Sequence, residues 1–294
     1  MIYGIKKIVS YALGTDIAGR SLSVRPDDTF IVSYPRSGNT WIRFLVANLL
    51  HPTEAVTFAN VERLIPDAEA QSSRYLKRIP SPRLIKSHQY FDHRYAKVLY
   101  IVRDPRDVVL SYYDFSRKYR HIPDRYPLES YVHDFVNGRL NSSGWGTWAE
   151  NVGTWLAARR GRPGFHLLRY EDLKANTEAE LATVARFLGI DPVPERLRSA
   201  IQKSSADRMR ELERTQSGQW VATRDKRPDI PFIGPAVNGE WKSKLPATAT
   251  LEIESAWGPL MSHVGYALTT NVPPQKPSRD WPRESTLEAM SPEP

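Results

Sequence analysis

The stretch from Thr29 to Leu50, TFIVSYPRSGNTWIRFLVANLL, constrains this chain more than any other. It opens as a β-rich apolar run over Phe30–Tyr34, breaks at Pro35, and enters a helical pattern at about Thr40. Between the two lie Arg36, Ser37, Gly38, Asn39 and Thr40. That segment offers a cation, two hydroxyls, a glycine and a row of free backbone amides at a helix start. Helix N-termini carry roughly +0.5 of an elementary charge and several unpaired N–H donors, so the geometry suits a phosphate or a sulfate. The segment is not the nucleoside-triphosphate loop G-x-x-x-x-G-K-[ST], which needs two glycines and a lysine. Here only Gly38 is present, and the cation precedes it.

Two further segments carry chemistry. In Val98–Phe115 an apolar strand, VLYIV, runs into Arg103-Asp104-Pro105-Arg106-Asp107, and a helix follows through Val108, Val109 and Tyr112. A strand end followed by a helix start is a common ligand crevice in an open α/β sheet. A guanidinium at Arg103 with a hydroxyl at Ser111 suits a dianionic phosphate. In Arg83–His88 a short strand delivers Lys86 and His88 to its carboxyl end. Imidazole titrates near neutral pH and can take a proton from an attacking hydroxyl. The other six histidines lack comparable context, and His51, followed by Pro52, reads as a helix end.

Together these motifs resemble the sulfotransferases that use 3′-phosphoadenosine 5′-phosphosulfate (PAPS). Y-P-R-S-G-N-T-W is similar to the family's 5′-phosphosulfate loop, usually Y-P-K-S-G-T-T-W. The resemblance implies that Ser37, Gly38, Asn39 and Thr40 cradle the 5′-phosphate and that Arg103 and Ser111 hold the 3′-phosphate. It implies His88 as the general base, in a K-[ST]-H motif, with Arg36 and Lys86 neutralising the transferring group. Arg36 stands where the family has lysine; arginine supplies charge and two parallel donors but no proton. Some carbohydrate sulfotransferases likewise carry arginine there, which tilts the implied acceptor toward a sugar. Trp41 matches the tryptophan that stacks on adenine, Tyr170 in R-Y-E-D-L the tyrosine at its edge, and Ser204 the start of an [ST]-S-F-x-x-M motif.

Three departures stand out. Ala206 replaces the phenylalanine expected on the other adenine face. Gly234-Pro235 replaces the basic pair expected ahead of Val237-Asn238-Gly239-Glu240-Trp241-Lys242. A second 3′-phosphate cation must then come from elsewhere, with Arg224, Lys226, Arg227 and Lys242 as candidates. Asn151 stands for the histidine of G-S-W-x-x-H-V, a segment that often borders the acceptor pocket in the family.

The resemblance covers roughly Thr29 to Leu268 and implies an α/β fold of three layers. Such a fold has a mostly parallel sheet flanked by helices and a P-loop-like PAPS-binding turn after its first strand. The residue pattern agrees: strand candidates are Phe30–Tyr34, Arg83–Lys86, Lys97–Val102 and Phe165–Arg169. Helix candidates are Thr40–Leu50, Asp107–Lys118, Leu128–Asn137, Thr147–Arg159, Glu178–Leu188, Glu195–Lys203 and Leu251–His263, and strands separated by helices argue for a parallel sheet. A capping box from Thr177 to Glu180 and Gly189 bracket one of these helices. The expected division is one domain over residues 1–270 and a Pro-rich, disordered tail over 271–294.

A net charge of +8 favours anionic partners, and the excess is local. Between Arg74 and Arg106 nine basic residues face only Asp92 and Asp104; an anion-binding mouth accounts for Lys86, Arg103 and Arg106. The absence of cysteine excludes disulfides, thiolate zinc sites and a cysteine nucleophile. No segment reaches the ~18–20 apolar residues that span a membrane. Met1–Leu13 reads as a packed N-terminal helix, with an amphipathic helix lying on lipid as the alternative. The expectation is a soluble, cytoplasmic enzyme acting on a hydroxyl-bearing small molecule or glycan, with no metal and no nucleic-acid partner. Two rivals remain: a magnesium-dependent nucleotide enzyme, for which Asp104 could imitate a metal ligand, and a basic nucleic-acid module, for which no recognised signature is present.

Overall fold

The computed structural model describes residues 16–140 and 144–269. The expected N-terminal helix and C-terminal tail lie outside the described residues. Four strands form one sheet: β1 (Thr29–Ser33), β2 (Leu84–Ser87), β3 (Lys97–Val102) and β4 (Phe165–Arg169). The helices are α1 (Asn39–Leu50), α2 (Val61–Leu64), α3 (Ser73–Arg78), α4 (Pro105–Lys118), α5 (Leu128–Val136), α6 (Trp148–Arg159), α7 (Tyr170–Ala175), α8 (Thr177–Leu188), α9 (Pro194–Lys203), α10 (Ala206–Gln216), α11 (Trp241–Lys244) and α12 (Ala247–His263).

The strand order is β2-β1-β3-β4 and every pairing is parallel. Because side chains alternate along a strand, the sheet feeds two cores. Phe30, Val32, Val98, Tyr100 and Val102 pack on one face with Trp148, Trp155, Ile253 and Trp257. Ile31, Leu99, Ile101 and Leu168 pack on the other with Ile42, Phe44, Leu45, Leu181 and Val184. Helices on both faces explain why β1 and β3 are almost wholly apolar, as strands of a covered parallel sheet are. The three-layer expectation is met, and the four strands fall within a residue of their expected limits.

Five short or polar helices, α2, α3, α7, α10 and α11, escaped the sequence reading. Three of them span only four to six residues, too short for a periodic signal, as is α11. The polar sequence ADRMRELERTQ of α10 buries only Met209, Leu212 and Glu213. One cap was misplaced. Thr177 is already helical and Asn176 is the N-cap, without a side-chain cap bond, so the box from Thr177 to Glu180 does not form. The reciprocal box occurs instead at α6, between Thr147 and Glu150. Gly189 does end α8, in the left-handed conformation at φ 82°.

The amino ends of β1 and β2 are fastened by a buried ion pair. Arg83 donates from Nε to Asp28 Oδ1 at 2.8 Å and from a terminal nitrogen to Oδ2 at 2.5 Å, and both side chains are fully excluded from solvent. Arg83 also donates to the carbonyls of Leu76 and Ser23. Asp28→Ala leaves this guanidinium buried without its counter-charge, so unfolding in urea should show a loss of about 3–5 kcal/mol. A loss below about 1 kcal/mol would contradict this account of the pair.

Candidate active site

With β1 between β2 and β3, three strands release their chains side by side at one edge of the sheet. A cavity of about 930 Å³ opens there, within the range of small-molecule sites. Its wall includes Arg36, Gly38, Asn39, Thr40 and Trp41 after β1, Lys86 and His88 from β2, and Arg103 and Ser111 from β3 and α4. Tyr170, which opens α7 directly after β4, completes it.

The loop after β1 is sharply turned. Arg36 has φ 68° and Gly38 φ 93°. A Cβ on Gly38 would stand 2.4 Å from Cδ2 of Tyr170, so glycine is required both by conformation and by the ring against it. Ile42 N–H donates to the Gly38 carbonyl, which leaves the amides of Asn39, Thr40 and Trp41 ahead of the first helical bond. Asn39 is anchored inward, its Nδ2 donating to the Ile31 carbonyl and to Ser33 Oγ. Arg103 Nε is buried with no partner, as is Ser37 Oγ, whose side chain lies fully buried behind the cavity wall. Two orphaned polar atoms beside a helix start fit a bound anion.

Arg36 spans the cavity, donating from Nε to Ser111 Oγ at 3.0 Å and to the Phe232 carbonyl at 3.0 Å. Its guanidinium lies 4.6 Å from the ring centre of Phe232 and 5.3 Å from that of Phe115. Burial brings its pKa down to about 10, so it remains a cation at neutral pH. Arg103 donates to the Arg36 carbonyl at 3.3 Å and stacks over Tyr170 at 4.6 Å. Trp41 meets Tyr170 edge to face at 5.7 Å and donates from Nε1 to the Ser204 carbonyl.

Lys86 is not an isolated cation. Its Nζ donates to Asp67 at 2.8 Å and to Glu69 at 3.3 Å. Glu69 also accepts from Ser87 Oγ, the His88 amide and the Gln89 side chain, so one carboxylate holds the strand end that carries both Lys86 and His88. Burial pushes Glu69 up to about 7, and Asp67 beside it adds to the shift. Asp67, despite burial that favours its neutral form, is held well below the usual carboxylate range by Lys86 and Arg43. No spacing or motif marks Asp67 and Glu69 in the sequence; a parallel bridge between Asp67 and Lys86 brings them in.

The half-buried His88 places Nδ1 2.7 Å from the Ser33 carbonyl. A carbonyl only accepts, so Nδ1 carries the proton and Nε2 is left with its basic lone pair. Trp145 meets the imidazole edge to face at 5.6 Å. Asn151 stands behind both: its Nδ2 donates to the carbonyls of His88 and Trp145, and its Oδ1 accepts from Tyr100. It is fully buried, so Asn151 braces His88 from within.

Several expectations need revision. Ser204 does not reach the cavity wall: it is fully buried, Oγ accepts from Asn48, and the neighbouring Ser205 lines the cavity. Arg106 is no part of an anion-binding mouth. It is enclosed by Asp104 and Glu254 and stacks 3.8 Å over Trp241. Arg224, Lys226, Arg227 and Lys242 are absent from the wall, where Lys174 and Lys244 stand instead. Among the described residues no helix is long and apolar enough to cross a membrane, and no group of three or more His, Cys, Asp or Glu gathers as a metal site.

Relatives are found both by sequence and by fold. A family model described as "Sulfotransferase domain" matches residues 26–265. The chain is 28% identical over 259 residues to sulfotransferase 1B1 of Canis lupus familiaris, covering 83% of this chain and 86% of that one. It is 26% identical to sulfotransferase 1B1 of Mus musculus, covering 92% and 95%. Its fold is similar to that of mouse sulfotransferase SULT7A1 complexed with PAP, with a TM-score of 0.67 at 21% identity over 82% of this chain and 86% of that one.

Burial, with the charge of Lys86 added to it, brings the His88 pKa down to about 3. The unfolded imidazole, near 6.5, therefore binds more protons than the folded one between those values, and stability falls as pH drops through that window. In the ligand-free protein the His88 Cε1 proton should keep one NMR shift from pH 5 to pH 8. A titration midpoint between 6 and 7 would overturn the neutral-base assignment.

Proposed function

The chain belongs to the sulfotransferase-domain family, and on that premise we propose that it moves a sulfuryl group from PAPS to the hydroxyl of a small-molecule or glycan acceptor. PAPS supplies a sulfuryl group on a phosphate leaving group. In the transfer the acceptor oxygen forms a bond to sulfur, the bond from sulfur to the bridging oxygen breaks, and the products are a sulfate ester and 3′,5′-adenosine bisphosphate. The observation that carries this reading is the convergence of Arg36, His88 and Arg103, from three adjacent strand ends, on one cavity.

Ser37, Gly38, Asn39 and Thr40 would hold the 5′-phosphate, with the orphaned Ser37 hydroxyl and the first-turn amides as donors. Arg103 and Ser111 would hold the 3′-phosphate. Arg103 brings an orphaned Nε and sits against the ring of Tyr170. Trp41 and Tyr170 would flank the adenine. His88 would take the acceptor proton on Nε2, the nitrogen that its bond to Ser33 leaves free. Arg36 and Lys86 would neutralise charge on the transferring group, where fixed cations in a recessed site act without reorganising. Ser204 would act at one remove, its carbonyl orienting Trp41.

His88→Ala should lower turnover by about 10²- to 10⁴-fold, the usual contribution of a general base. Binding of 3′,5′-adenosine bisphosphate, followed by calorimetry, should stay near wild type. Retention of more than about a tenth of turnover with an alcohol acceptor would mean that another group takes the proton.

Arg36→Ala should lower kcat by about 10²- to 10³-fold, as loss of one preorganised donor does. Arg36→Lys should recover much of that, because it keeps the charge. Lysine and alanine variants with equal kcat at saturating PAPS would show that the two-pronged guanidinium, and not charge, is what the step needs.

A further inference from the structure

The basic pair that Gly234 and Pro235 replace leaves Arg103 as the guanidinium for the two charges of the 3′-phosphate, since Arg36, although it donates to Ser111 Oγ at 3.0 Å, is given to the transferring group. We propose, on the reading of the cavity as a PAPS site, that Lys244 supplies the second cation for that phosphate.

The argument starts from how α11 is docked. The carboxylate of Asp107, in the first turn of α4, accepts from the amides of Gly239 at 2.7 Å and Trp241 at 3.0 Å. Trp241 then packs on Arg106, so α11 is docked on the first turn of α4. Asp107, Ser111 and Asp114 are spaced i, i+4 and i+7 and share one face of α4. Trp241 is fixed at the Asp107 end of that face, and Lys244, three residues on, is near enough to Asp114 to feel its charge. Lys244, Glu240, Asp114 and Ser111 all line the cavity.

The alternatives are committed elsewhere. Arg227 is held by Asp124 and Asp229, Arg224 lies beside Asp225, and Lys226 and Lys242 sit over the rings of Tyr119 and Trp241. None of the four lines the cavity. Of the cations that do, Arg36 is held between Ser111 and the Phe232 carbonyl and serves the transferring group, Arg43 is paired with Glu62, Lys86 serves the β2 end, and Lys174 lies 5.6 Å over Trp41 on the adenine side. Arg210 touches the Gly234 and Pro235 carbonyls, but Asp207 holds its other nitrogen and it is not on the wall.

Lys244 is half-exposed and donates to Glu240 at 2.5 Å. Its bond to Glu240, with Asp114 nearby, keeps its pKa above the ordinary value, so it is charged. An exposed pair of this kind is weak. A dianion arriving at Ser111 competes for the ammonium with more charge than one carboxylate has.

The test is the ratio of the Kd for AMP to that for 3′,5′-adenosine bisphosphate, measured by calorimetry at low salt. Lys244→Ala should lower the ratio about three- to tenfold by weakening the bisphosphate alone, and Lys244→Arg should keep it. The difference should shrink as salt rises. Arg103→Ala should also lower the ratio. If Arg103→Ala lowers it and Lys244→Ala does not, or if Arg210→Met lowers it in place of Lys244→Ala, the assignment of Lys244 is overturned. If the wild-type protein does not discriminate and Arg103→Ala changes nothing, the 3′-phosphate reading of the cavity falls, and Lys244 with it.

Discussion

Parallel pairing of β1 with β2 on one side and β3 on the other is the constraint on which the rest of the structure depends. All backbones run the same way, so the loop after β1, the Lys86–His88 segment after β2 and Arg103 after β3 leave the sheet at the same edge. An antiparallel partner on either side would send one of these groups to the opposite edge. Parallel strands need crossover connections, and those helices cover both faces and keep the strand ends rigid. The buried pair of Asp28 with Arg83 fastens the far ends of β1 and β2.

Burying so many cations at one edge demands compensation, and the structure meets it residue by residue. Arg106 is enclosed by two carboxylates and an indole. Lys86 is shared between Asp67 and Glu69. Arg36 and Arg103 lie instead over aromatic rings and carbonyls, with no carboxylate partner among the described ion pairs. Of these four, the two without a carboxylate partner are the ones that lean into the cavity beside the helix start, where an anion would find them. The same crowding of charge and burial keeps His88 neutral, the form that a proton acceptor requires.

The brace behind His88 shows how the interior and the site are joined. Tyr100 on β3, Asn151 on α6, and the carbonyls of His88 and Trp145 form one chain of hydrogen bonds. A polar group buried in this way holds its place only if each partner is satisfied. The core strand thereby fixes both the histidine and the tryptophan against it.

What the sequence determined by itself is what short-range physics encodes. Short apolar runs marked the four strands, Gly38 and Pro35 marked the turn, and cations and hydroxyls near strand ends marked groups that gather at the cavity, since these signals lie within a few residues of one another. Family resemblance assigned their roles. The tertiary structure alone decided which charges are free. Asp67 and Glu69 reach Lys86 from 19 and 17 residues away, Glu254 reaches Arg106 from 148 away, and Asp107 takes the Gly239 amide from 132 away. Hence Arg106, which reads as a ligand group in the sequence, is structural, and Ser204 supports Trp41 through its carbonyl rather than facing the cavity. Whether a charge serves the fold or the ligand depends on its counter-charge, and the chain brings counter-charges together only by folding.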